Sequence, residues 1–459
     1  MGSIKISNVS FRYEDSSNHI FNNLNLDLDS SWKLGLVGRN GRGKTTFLNL
    51  LQGKLVGRGE IQTKLNFSYY PIRIKDPANI TLYELQDQIM FEQWKLEREL
   101  NLMHVDSNLI WQSFNTLSGG EQTKILLALS FIDENSFPLI DEPTNHLDEE
   151  SRQEICKYLT KHHKGYIVVS HDRNFLNQVT DHVLAIENTE IHLYQGNYAT
   201  YEQIKEARDE FNREKNEKIA GEIKNLHNQK EQFYHWAQKI EARKNLGQKT
   251  QYILNRRARI NKATVGHAAA KMMNKSITSR NRMDKKIEEK EGLMVNIEDI
   301  PKLTMNFQSN YHSAFLKFLL NKVSANSNGR CELTNGLRIS YLPQDLTIYQ
   351  GSLKNFALHQ KLSYEDLLNI LKKMGFPRTN FNVPIEEMSM GQQKRIALAK
   401  SLLEPADLYL WDEPANYLDV FNQDQLINLL QEVKPAMLLI DHDQYFIEQV
   451  ADERIKLAN

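Results

Sequence analysis

An α/β fold of two duplicated lobes, the second incomplete, joined by a long α-helical hairpin, is what this 459-residue sequence predicts. Three observations carry the prediction. One set of short motifs occurs twice at identical spacing, apolar strands alternate with helical patterning around each set, and the stretch between them lacks sheet patterning altogether. The length exceeds what one hydrophobic core supports and suits two domains with a connector. The expected boundaries are 1–197, 198–292 and 293–459.

The first set reads LSGGEQ, with Ser118, Gly119 and Gly120, then Asp141-Glu142-Pro143, then Ser170-His171-Asp172. The second reads MSMGQQ, with Ser389, Met390 and Gly391, then Asp412-Glu413-Pro414, then Asp441-His442-Asp443. Both Ser-to-Glu intervals are 24 residues and both Glu-to-His intervals are 29, which marks an internal duplication. In the first lobe a buried strand, Lys33–Val37, runs into Gly38-Arg39-Asn40-Gly41-Arg42-Gly43-Lys44-Thr45 and an apolar helix over 46–51. Strand, GxxxxGKT and helix form a phosphate-binding context: glycines let backbone N–H groups face phosphates, and the helix N-terminus adds partial positive charge. Gly38, Asn40, Gly41, Gly43, Lys44, Thr45 and Thr46 are the expected nucleotide contacts, so ATP with Mg²⁺ is the expected ligand. Lys44 is suited to the terminal phosphates, and Thr45 with Asp141 to the metal. Glu142, beside Asp141, is placed to activate water, and His171 to contact the transferred phosphate. Tyr13 stands where a ring stacks on adenine, ordinary packing being the alternative.

The second lobe lacks that cradle. Thr45 to Leu51 parallels Ser313 to Leu319 at a constant offset of 268, yet residues 308–312 contain neither glycine nor lysine. An in-frame loss of the preceding strands together with the phosphate loop is the simplest account. It leaves Gln344, Asp412, Glu413 and His442 in a degenerate site that would borrow Ser118, Gly119 and Gly120. Losing the strand that feeds a phosphate loop is expected to expose a sheet edge and apolar surface.

The N-terminus lacks an export-signal pattern, and nowhere do eighteen apolar residues run together, so a cytoplasmic protein without membrane spans is expected. Cys156 and Cys331 show no pairing or metal-ligand spacing. The net charge of −1 conceals an asymmetry: residues 243–286 hold thirteen basic side chains and one acid, Asp284. Ile219, Ile223, Leu226, Phe233, Ala237 and Ile240 form a narrow seam for a returning helix, with an interruption expected at Gly247 to Gln251. A basic tip on an acidic body points to a nucleic-acid backbone, a solvated arm being the alternative.

The two motif sets resemble the ATP-binding cassette family, in which paired cassettes sandwich nucleotides head to tail. That resemblance places Ser389 and Gly391 opposite the first phosphate loop, with Met390 where the family has a small residue. It also places a glutamine after the strand that follows the phosphate-loop helix; the second lobe has Gln344, but the first has Ile72. With the basic linker, GRNGRGKT, residues 130–148, MSMGQ and residues 411–422, the chain resembles the ABC-F family, in particular its Lsa/Sal/Vga-type ribosomal protection proteins. The resemblance implies a monomeric ATPase that enters the ribosome beside exit-site or peptidyl tRNA, binding neither DNA nor membrane. It further implies displacement of lincosamide, pleuromutilin and streptogramin A antibiotics, with Tyr252, Ile253 and Leu254 the expected drug-proximal tip. Two other readings remain open: a ribosome- or RNA-binding remnant without turnover, and a soluble subunit of a transporter.

Overall fold

The computed structural model describes residues 2–14, 19–144, 147, 149–251, 262–295, 301–307 and 337–454. The expected tip residues Tyr252, Ile253 and Leu254, Cys331, and the helix matched at residues 313–319 lie outside the described residues. The chain falls into two compact units, Met1–Tyr201 with Ile300–Asn459, and Glu202–Asp299.

The first lobe is built on two sheets. β1 (Ser3–Phe11), β2 (Phe21–Asp29) and β4 (Arg58–Gln62) make an antiparallel sheet ordered β2-β1-β4. β3 (Lys33–Val37), β5 (Asn66–Tyr70), β6 (Ser136–Asp141), β7 (Tyr166–Val169), β8 (His182–Glu187) and β9 (Glu190–Gln195) form the main sheet, ordered β5-β6-β7-β3-β8-β9. β3 therefore lies inside the main sheet, parallel to β7 and β8. Each face of that sheet has its own core. Leu100, Ile125, Leu127, Ile155 and Val168 pack among the helices on one side, while Ile4, Phe21, Leu36, Phe47 and Ile167 fill the space on the other. All four residues of β7 are consequently buried, as a parallel strand covered on both faces requires.

The second lobe repeats only part of this. β10 (Ile339–Leu342), β11 (Leu408–Asp412) and β12 (Met437–Ile440) form a parallel sheet in that order, matching β5, β6 and β7. No counterpart of β3 flanks β12 among the described residues. One core, around Leu342, Leu398, Trp411, Leu426 and Phe446, covers one face. Among the described residues the opposite face is uncovered: Tyr341 is 53%, Leu438 50% and Ile440 52% exposed. Where β7 is sealed, β12 alternates between half-buried and exposed residues.

The second unit is a pair of helices within Tyr198–Gln251 and Lys262–Glu291. The first helix runs unbroken through Gly247, contrary to the interruption expected there. A lone glycine costs a helix only about 1 kcal/mol relative to alanine, which flanking helix formers offset. Ile219 and Ile287 are buried, and Ile223 and Leu226 half-buried, so the seam forms as far as these positions; Phe233 is 43% exposed. Ion pairs Lys230–Asp284 and Lys290–Glu222 flank it, and the Asn216 side chain both donates to the Val295 carbonyl (2.7 Å) and accepts its N–H (3.0 Å). Asp284, the sole acid of the basic segment, is thereby engaged by Lys230.

Candidate nucleotide site

Glycine sets the shape of the loop after β3. Gly43 has φ +102°, and a Cβ there would stand 2.5 Å from Ile20 Cγ2, so conformation and space both select glycine. The helix Lys44–Leu51 follows at once, its first N–H groups directed at the loop. Lys44 folds back, donating to the Gly38 carbonyl (2.7 Å) and to Asn40 Oδ1 (3.1 Å). Tyr13 lies edge-on to Phe11 at 5.0 Å, and its hydroxyl is 2.9 Å from Thr46 Oγ1, so the ring stands at the start of the same helix.

β6 delivers the acids. Asp141, its carboxyl raised by burial and lowered in turn by Tyr69, Lys44 and the Thr45 hydroxyl, stands near Thr45, so the two groups expected to hold Mg²⁺ come together. It accepts from the Tyr69 hydroxyl at 3.0 Å. Tyr69 was not among the expected site residues; its signal is an aromatic pair just before Pro71, near where the cassette pattern places glutamine. Ile72, the residue at that glutamine position, packs against the first core.

Glu142 adopts φ +53°, its N–H donating to the Val169 carbonyl at 2.9 Å. This left-handed turn directs the side chain toward His171, whose Nε2 lies 3.2 Å from Oε1. Burial raises the Glu142 carboxyl well above the usual carboxylate range, although Lys44 opposes the shift. Burial, with Lys44 and Arg395 nearby, drives the His171 imidazole well below its ordinary value, so it is neutral at physiological pH. Burial also lowers the Lys44 ammonium, against Glu142, Asp419 and Asp141. The donor set fits a magnesium-bound triphosphate: a glycine cradle, one ammonium, a hydroxyl–carboxylate pair, and a buried Glu142 Oε1 without a hydrogen-bond partner.

The second lobe closes over this loop. The carboxylate of Asp419, N-cap of the helix Val420–Val433, accepts the Asn40 N–H at 2.7 Å, and the Arg39 guanidinium lies 3.6 Å over Phe421. A Cβ on Gly391 would meet the Tyr417 carbonyl at 2.9 Å and Asn40 Nδ2 at 3.8 Å. Ser389 caps its helix through a reciprocal box with Gln392, as Ser118 does with Glu121. Asn40, Gly41, Glu142, His171, Ser389 and Gly391 all line one cavity of about 450 Å³, within the range of small-molecule sites. Met390, beside them, is 40% exposed.

In the degenerate site Gln344 and Asn416 donate to Glu413 at 2.9 and 3.1 Å, and His442 Nε2 is 3.6 Å from it. Glu413 and His442 open on the same cavity as Glu142, whereas Ser118, Gly119 and Gly120 do not line it. Arg152 donates to the His442 carbonyl at 2.9 Å while pairing with Asp172 at 3.2 Å.

The ABC transporter family profile matches residues 21–145 and 313–416. Its second match begins at Ser313, where the sequence returns to register after the missing block. The chain is 26% identical to ribosome protection protein VmlR of Bacillus subtilis (strain 168), covering 99% of this chain and 87% of that protein. That alignment has 508 positions against 459 residues here, so at least 49 positions have no counterpart in this chain. ATP-binding protein Uup of Caulobacter vibrioides is 24% identical over 97% of this chain and 76% of its own length. Among solved structures, archaeal ribosome recycling factor aABCE1, in complex with stalk protein aP1, shares the fold with a TM-score of 0.54 at 19% identity, over 97% of this chain and 86% of that one.

Proposed function

Because the chain is a tandem ATP-binding cassette protein of the ABC-F family whose second phosphate loop is missing, we propose that it is a ribosome-binding ATPase working through one composite site. ATP would be held by Gly38, Asn40, Gly41, Gly43, Lys44, Thr45 and Thr46, with Tyr13 against adenine and Ser389 and Gly391 closing from the second lobe. Mg²⁺, held by Thr45 and Asp141, would neutralise charge on the terminal phosphates. Glu142 accepts the proton of the attacking water, and His171, held 3.2 Å from it, donates to the transferred phosphate. Bound triphosphate favours the closed lobes and hydrolysis removes that bias, which gives the basic arm a switch.

The observation that carries this reading is one complete phosphate-holding site in a chain whose linker, over residues 243–286, bears thirteen basic residues and one acid. The partner is the ribosome with its tRNA, and the outcome is protection from lincosamides, pleuromutilins or streptogramin A. The similarity to VmlR, a ribosome protection protein, supports it. The test is ATP-dependent co-sedimentation with ribosomes: Glu142→Gln accumulates on ribosomes, and unchanged dissociation of that variant rejects the reading. The missing second loop favours a second reading, ribosome binding without turnover, which holds if the purified protein sediments with ribosomes yet hydrolyses no ATP.

A further inference from the structure

One turn beyond Gly391 on the helix Met390–Leu403, Arg395 lines the same cavity as Asn40, Glu142 and His171. It is 5% exposed, yet its charge is poorly met. Among the described residues its one hydrogen bond runs from Nη1 to the Gly375 carbonyl at 3.5 Å, it forms no ion pair, and its buried Nε has no partner. Burial disfavours the guanidinium and Asp419 opposes that effect, but the Asp419 oxygens already accept main-chain N–H groups, from Asn422 at 2.9 Å and from Asn40 at 2.7 Å. A guanidinium stays protonated in proteins, so the cavity wall carries a buried cation with most of its donors unused. Burial is the main reason His171 is neutral, and the charges of Lys44 and Arg395 add to it, so Arg395 is felt beside the residue assigned to the transferred phosphate.

The first lobe shows the same position with its charge neutralised. The motif sets are related by an offset of 271, which pairs Arg395 with Lys124 and Gln425 with Glu154. Lys124 and Glu154 form an ion pair. In the second lobe that acid is a neutral glutamine, whose side chain donates to the Pro301 and Lys373 carbonyls at 2.9 and 3.0 Å and accepts from Asn422 at 2.8 Å. The difference follows the fate of the two nucleotide sites. Lys124, already neutralised, lies on the helix behind Ser118, Gly119 and Gly120, which do not line the cavity. Arg395, without an acid, lies on the helix behind Ser389 and Gly391, which do. A buried cation is costly unless an anion meets it, and a triphosphate is an anion the neighbouring glycine cradle suits.

We propose that Arg395 is a contact for the terminal phosphate of ATP, supplied across the lobe interface and left free for that task by the change of its acid partner to Gln425. This rests on the one-site reading: the cradle around Lys44 holds ATP and ADP alike, and Arg395 adds what distinguishes them. A guanidinium fork suits phosphate oxygens, so losing it falls on the nucleotide that carries the third phosphate.

The test is titration of the full-length chain, in Mg²⁺, with the non-hydrolysable β,γ-imido analogue of ATP and with ADP. Arg395→Met, which keeps an apolar stem, should weaken the analogue roughly tenfold and leave ADP almost unchanged. Arg395→Lys, which restores the charge without the fork, should lose less. Equal weakening of both nucleotides, no weakening of either, or equal losses in the two variants shows that Arg395 only packs its helix, and overturns the proposal. If Arg395→Met yields no soluble protein, the analogue-to-ADP ratio of Arg395→Lys decides: a fall supports the proposal, and an unchanged ratio overturns it, as does loss of soluble protein in both variants. Failure of the unaltered protein to bind either nucleotide rejects the one-site reading and this inference with it; binding that ignores Arg395 rejects this inference alone.

Discussion

Glu142 shows how a single backbone angle organises the chemistry. Its left-handed conformation brings the carboxylate beside His171, and burial leaves it a stronger base than an exposed glutamate. The sign of the pH dependence follows. A general base works deprotonated, and its raised pKa in the free protein means kcat/KM for ATP should climb as pH rises through neutrality; a flat profile would exclude Glu142 as the base. Glu142→Gln should cut turnover by about 10²–10⁴-fold while sparing ATP binding, measured by single-turnover assay and nucleotide titration. Tyr69 adds a test of its own. Its 3.0 Å bond to Asp141 orients the acid proposed to hold Mg²⁺, so Tyr69→Phe should raise the Mg²⁺ concentration needed for half-maximal turnover several-fold. The phosphate loop and both acids were legible because each type has one chemical use in that context. Tyr69 was not, because a tyrosine in a strand packs more often than it positions a carboxylate.

Helices and strands were legible where periodicity and breakers agreed, and less so where a lone residue was given too much weight. Gly247 carried the expectation of a break, yet the helix Tyr198–Gln251 passes through it. Away from the site, the first lobe is tied by a buried network that sequence gave no means of finding. Glu99, on the helix Gln93–Leu102, is 2% exposed; it accepts from the Tyr158 hydroxyl at 2.8 Å and from Arg98 at 2.9 and 3.1 Å. Burial alone would raise its carboxyl, but His162, 3.6 Å away, and hydrogen bonds from Tyr158 and Arg98 prevail and hold it at about 2. A carboxylate depressed on folding adds stability above its ordinary pKa of 4.5 and loses it as pH falls toward 2. Glu99→Gln should flatten that part of the acid-unfolding curve, read by circular dichroism.

For the molecule as a whole, the duplication predicted two lobes of unequal completeness, and the sheet ordering gives that inequality a physical form. A parallel sheet is ordinarily covered on both faces, but among the described residues nothing covers Tyr341, Leu438 and Ile440 on one face of the second lobe. An apolar surface of this kind invites self-association, so Leu438→Lys should reduce both ANS fluorescence and the oligomer fraction in light scattering. How the open face would look was not legible, because motif spacing reports what was kept in register and is silent on what neighbours do when a strand is withdrawn.

Glu413 has φ +47°, close to the +53° of Glu142, and its N–H meets the Ile440 carbonyl as that of Glu142 meets Val169. A lobe without a cradle thus still sculpts its acid as the complete lobe does. The contour belongs to chain connectivity rather than to cargo, and a graft of the lost segment would meet a carboxylate already moulded for it.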